Sequence, residues 1–71
     1  MSLLEVQTGT CVRVVRLEGG TGLMDKLTQH GLFPGDYVQV VRRAPWGGPL
    51  LVEVHGREIA LGRGVAKKIV V

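Results

Sequence analysis

Residues 10–17 carry an imperfect alternation, with Val12, Val14, Val15 and Leu17 interrupted by Arg13 and Arg16. A strand over Thr10–Leu17 with a β-bulge near Val14-Val15 accommodates it, turning the four apolar side chains inward and both arginines to water. Residues Leu3 to Thr8 read as a lead-in and Gly9 as a turn. After Gly19-Gly20 the pattern changes to helical spacing, with Leu23, Met24 and Leu27 on one stripe. Thr21 is the N-cap candidate and Asp25 falls early, where the helix dipole favours an acid. His30 ends the last turn, Gly31 is a C′ glycine, and Leu32 follows as the apolar residue of a Schellman motif. These signals predict a helix over 22–30.

Phe33-Pro34-Gly35-Asp36 predicts a turn, since proline presets φ and glycine takes the left-handed position after it. Strand patterns follow at Tyr37–Arg43, Leu50–His55, Glu58–Leu61 and Lys68–Val71. In the first of these Val38, Val40 and Arg42 share one face, and Tyr37, Gln39 and Val41 the other. Ala44–Pro49 predicts a hairpin loop, because its two prolines and two glycines cannot continue a ladder. Gly56-Arg57 reads as a tight turn, Ile59 and Leu61 as core, and Val65-Ala66 as a short turn. The expected class is mainly β: roughly five short strands and one inserted helix, curled into a barrel that hides its edges.

Length and composition narrow the functions available. The 71 residues give one domain over 1–71, with one small core and little room for an enclosed cofactor cavity. Hydrophobic residues are 45% and charged residues 21%, a globular balance. Nine Lys and Arg against six Asp and Glu leave +3, dispersed, with no basic run longer than Arg42-Arg43 or Lys67-Lys68. Long like-charged arms that grip nucleic acid are therefore absent from the pattern. Cys11 is the single cysteine, so no internal disulfide forms, and a free thiol fits a reducing cytosol. The N-terminus lacks the pattern of a signal peptide, and no apolar run is long enough for a membrane span. A cytoplasmic protein is expected, with any membrane role routed through a partner.

Candidate chemistry is sparse. Gly19-Gly20-Thr21-Gly22 before a helix resembles a phosphate cradle, but no Gly-Lys-Ser/Thr follows it and the βαβ unit is missing. It reads as a strand-to-helix turn. Glu53 and His55, alternate residues of a predicted strand, face the same way, with Glu58 across the turn, and carboxylate with imidazole suits Zn or Fe(II). They are a weak, adventitious metal candidate, because recognisable ligand spacing is missing. No nucleophile, base or acid–base carboxylate pair stands out, so no enzyme and no cofactor are expected. Arg42, Arg43 and Trp46, joined by Arg57 and Arg63, form a thin stacking-and-charge set of the kind that binds nucleic acid. Trp46 reads either as a docking anchor or as a cap folded over the barrel end. Of Leu32 and Phe33, one should anchor the helix and the other stand exposed.

Three segments carry a resemblance. They are Leu27-x-x-His30-Gly31-Leu32-x-Pro34-Gly35, then Val40-Val41-x-x-Ala44-Pro45-x-Gly47-Gly48-Pro49, then Ile59-Ala60-Leu61 with Ala66-x-x-Ile69-x-Val71. In this order and spacing they resemble the FeoA family, small components of ferrous iron transport. His30 stands where that family often has a small residue, and Trp46 where it usually has a smaller apolar one. The resemblance implies an SH3-like β-barrel with a helical insertion. It also implies an accessory or regulatory role toward FeoB, the membrane Fe(II) transporter with a cytosolic GTP-binding domain. The expected contact surface is Leu32, Phe33, Arg42, Pro45 and Trp46. A metal-responsive domain like the C-terminal barrel of DtxR-type repressors is the alternative, beside a nucleic-acid-binding barrel. No nucleic acid is expected as partner, and a homo-oligomer is left open.

Overall fold

The computed structural model describes residues 1–71. Six short strands form in the order β1 (Cys11–Arg13), β2 (Arg16–Leu17), β3 (Tyr37–Arg43), β4 (Leu50–Val54), β5 (Arg57–Leu61) and β6 (Ile69–Val70). Helix α1 (Gly20–Gln29) lies between β2 and β3, and the short α2 (Arg63–Ala66) between β5 and β6. β1, β3, β4 and β5 make one antiparallel sheet in that order, and β2 pairs with β6 in a second.

The predicted first strand is two strands. The break falls at Val14-Val15, where the chain passes from one sheet to the other. Val14 N–H donates to Asp36 O at 2.8 Å and Val15 N–H to Val70 O at 2.7 Å. Val14 is buried and Val12 and Leu17 pack half-buried against the core, as expected, but Val15 is 57% exposed, contrary to the expected inward side chain. A change of sheet does what a bulge would have done, but it reverses the side chain after it. The same passage accounts for six strands in place of five. Cys11 is exposed on β1.

The inner faces alternate along the longer strands. Val38 and Val40 of β3, Leu50, Val52 and Val54 of β4, and Leu61 of β5 meet Val14, Leu27, Leu32, Ala66 and Ile69 in one core. Leu3 and Val6 complete it from a 3₁₀ turn over Leu3–Glu5, so the expected lead-in is part of the core. This amino-terminal stretch pairs beside β6, through a bridge from Ser2 to Val70 and a bond from Val71 N–H to Met1 O at 2.9 Å. No helix is long and apolar enough to cross a membrane.

Helix α1 starts two residues earlier than expected. Gly19, at φ 132°, is its N-cap and Thr21 lies inside it. Its other end follows the Schellman pattern: Gly31 N–H donates to Thr28 O and Leu32 N–H to Leu27 O, with Gly31 at φ 80°. Leu27 and Leu32 are buried, while Met24 stays exposed, so a narrow stripe holds the helix down. Asp36 then closes the following turn, its N–H donating to Phe33 O and its carboxylate accepting the Phe33 N–H at 2.9 Å.

Two hairpins set the ends of the main sheet. Val54 pairs with Arg57, leaving His55-Gly56 as the turn. Both have positive φ, 52° and 76°, the signature of a type I′ turn. The expected turn at Gly56-Arg57 is thus one residue late, and His55 leaves the strand. At the opposite end β3 and β4 are joined by Ala44–Pro49, closed by Ala44 N–H to Pro49 O and Gly48 N–H to Pro45 O.

A candidate docking surface at the hairpin tip

The β3–β4 register slips between Val40 and Arg42. Val40 pairs with Val52 but Arg42 pairs with Leu51, so Val41 is the extra residue of a bulge. The bulge reverses the parity expected for Arg42, which joins the outer face. Arg43 takes the inner-side register opposite buried Leu50, and its guanidinium donates from Nη2 to the carbonyl of Val6. Beyond it the tip is a second type I′ turn, with Trp46 at φ 54° and Gly47 at φ 73°.

A tryptophan in that left-handed conformation is unusual, since its Cβ crowds the backbone there. Nothing in the fold compensates by covering the ring: Trp46 is 98% exposed. The reading of Trp46 as a folded-back cap is therefore corrected, and the anchor reading keeps its geometry. Pro45 beside it is exposed too. Arg63 of α2 approaches the same turn, its Cδ 3.9 Å from where a Cβ on Gly47 would stand.

The remaining predicted surface residues lie elsewhere. Leu32 is fully buried and serves as the anchor of the helix exit, so it offers nothing to a partner. Phe33 is 49% exposed. It sits at the Tyr37 end of β3, whereas Trp46 follows the Arg43 end. The strand Tyr37–Arg43 lies between them, and its six steps of ~3.3 Å span about 20 Å. Phe33 and Trp46 thus belong to opposite ends of the barrel. Arg57 is also at the Phe33 end, donating to His30 O at 2.7 Å, so the five-member set with Arg42, Arg43, Trp46 and Arg63 does not gather.

The metal candidate loses its premise. Glu53 is on β4, paired with Gln39 and Glu58, while His55 is in the turn with Nε2 3.2 Å from Asp36 Oδ1. The two side chains are not alternate members of one strand. No group of three or more His, Cys, Asp or Glu side chains converges anywhere in the structure. Arg43 and Arg63 emerge instead as neighbours of the tip. Sequence offered a signal for them only as members of a basic set, and their proximity needed the fold.

The whole chain, residues 1–71, matches the family model for the FeoA domain. A Methanocaldococcus jannaschii protein, named by inference Fe(2+) transport protein A, is 36% identical over 63 residues, covering 89% of this chain and 74% of that protein. Among solved structures, an iron uptake regulatory protein (FeoA) superposes with a TM-score of 0.89 at 35% identity, over 97% of this chain and 91% of the other. The zinc complex of Stenotrophomonas maltophilia FeoA, described as a procaryotic SH3 domain protein proposed to activate ferrous iron transport, gives 0.81 at 30% identity, over 99% and 87%. The manganese regulator SloR shares the fold at a TM-score of 0.84 and 22% identity, with this chain matching 32% of its length and covered to 96%.

Proposed function

This chain belongs to the FeoA family, with the mainly β, SH3-like fold of its relatives, and from that premise we propose that it is a non-catalytic accessory of ferrous iron transport that docks on the cytosolic region of a FeoB-type transporter. The observation that carries the docking reading is Trp46. A large apolar side chain is held out in water, 98% exposed, on a turn whose backbone disfavours it. Tryptophans are enriched among the residues that dominate protein interfaces. The contact surface is the hairpin tip: Pro45 and Trp46, with Arg42 and the nearby Arg43 and Arg63. Phe33, at the far end, is outside it. The protein works in the cytoplasm and reaches the membrane through its partner. Docking alters transport by binding one conformation of the transporter more tightly than another.

The test is capture of the transporter's isolated cytosolic region on immobilised chain. The reading predicts retention by the parent protein and by Phe33→Ala, and loss with Trp46→Ala. Equal retention by all three contradicts the tip as the contact, and no retention by the parent contradicts docking itself. The DtxR-type alternative has only the shared fold in its favour.

A further inference from the structure

We propose that the cleft between the β3–β4 hairpin and α2 is a carboxylate-binding site, which receives an aspartate or glutamate side chain from an acidic segment of a protein partner. The inference rests on the docking reading and adds the chemistry of what docks. A pocket of about 20 Å³ is lined there by Leu4, Arg43, Ala44, Gly48, Leu50 and Arg63, together with Pro49. No acidic residue lines it. Neither arginine is in an ion pair: the two pairs in the structure are Arg16–Glu18 and His55–Asp36. Two arginines from different elements therefore line one small hollow without a counter-charge. Like charges so placed repel, and an anion between them turns that repulsion into attraction.

The guanidinium geometry is already arranged. Arg43 gives one Nη2 donor to the Val6 carbonyl, which tethers its guanidinium beside the cleft. A guanidinium carries five N–H donors, so most of its fork remains available. Arg63 lies with its stem along the Gly47 turn, at the base of Trp46. The pocket has room for about one water, the volume a single carboxylate oxygen takes. The net charge of +3 is dispersed and the tip holds one aromatic ring, which disfavours a nucleic acid or a lipid surface as occupant. An acidic peptide uses what is present: a carboxylate between the arginines and an apolar neighbour against Trp46.

Trp46 is the sole tryptophan, so its emission reports on this site alone. The probe is N-acetylated hexaglutamate, titrated at low salt beside inorganic phosphate and phosphatidylglycerol vesicles. The expected result is a saturable change in Trp46 emission with hexaglutamate, weakened by salt. Binding should be at least about tenfold weaker in Arg63→Ser. Lys67→Ala, which removes a charge outside the cleft, should bind like the parent, and far-UV circular dichroism should show both variants folded. Absence of saturation, equal affinity in Arg63→Ser, or tighter binding of phosphate or vesicles than of hexaglutamate overturns the proposal. Capture of the transporter region without hexaglutamate binding removes this inference and keeps the docking reading. Arg63-dependent hexaglutamate binding without capture does the reverse.

Discussion

The Arg57 guanidinium donates from Nη2 to the carbonyl of His30 at 2.7 Å, tying the β4–β5 hairpin to the end of α1. The carbonyls of a helix end lack partners within the helix and carry its negative pole. A cation from the neighbouring sheet satisfies one of them. A helix of ten residues has little stability of its own, so such ties decide whether it stays docked. Arg57→Ala is expected to lower stability by about 1 kcal/mol, the typical net worth of a hydrogen bond, because solvent screens the charge of this exposed one. Urea unfolding measures it, and amide exchange at His30 and Leu32 should quicken.

Gly31 tests the same tie from the other side. It sits at φ 80°, and a Cβ there would stand 2.5 Å from Arg57 Nη2. Gly31→Ala should cost about 1–3 kcal/mol, through backbone strain and displacement of the guanidinium together. In the Arg57→Ala background only the strain remains, so the cost should shrink. Additive losses in that double-mutant cycle would mean the two residues do not interact.

Leu32 and Phe33 are neighbours with opposite fates. Leu32→Ala removes a fully buried side chain and should cost about 2–5 kcal/mol. Phe33→Ala exposes less lost contact and should cost about 1 kcal/mol. Thermal unfolding compared across the two variants checks the ordering, and similar losses would contradict the burial of Leu32 alone.

Trp46 should be replaceable with a gain in stability. It buries almost nothing, and its φ of 54° suits asparagine far better. Trp46→Asn is expected to raise stability by about 0.5–1 kcal/mol in urea unfolding while abolishing capture of the transporter region. A destabilised variant would show that the indole supports the fold.

Most of the barrel was readable because short-range chemistry dictates it. The Gly31-Leu32 cap, the Pro34-Gly35 turn and the alternation of Val38, Val40, Leu50, Val52 and Val54 each follow from local rules, and each stands in the structure. The misses share one cause, tertiary register. Nothing local distinguishes a bulge at Val14-Val15 from a change of sheet, which depends on Asp36 and Val70 as acceptors. A one-residue slip of the turn to His55-Gly56 separated Glu53 from His55, and the extra residue Val41 moved Arg42 to the outer face. The expected surface broke apart for a similar reason. Phe33 and Trp46 are both apolar, but β3 runs the length of the sheet between them. Trp46 itself was legible from its Pro-Gly-Gly setting, whereas the meeting of Arg43 with Arg63 depends on α2 folding back to the hairpin.

The central claim is that the hairpin tip is the face presented to the transporter. Chemical-shift mapping of the isotope-labelled chain, titrated with the transporter's cytosolic region, tests it most directly. Perturbations gathered on residues 42–49 and on Arg63, with Phe33 and His55 unmoved, are the predicted result. Perturbations centred on the helix exit and the His55-Gly56 turn, or none at saturating partner, would contradict it.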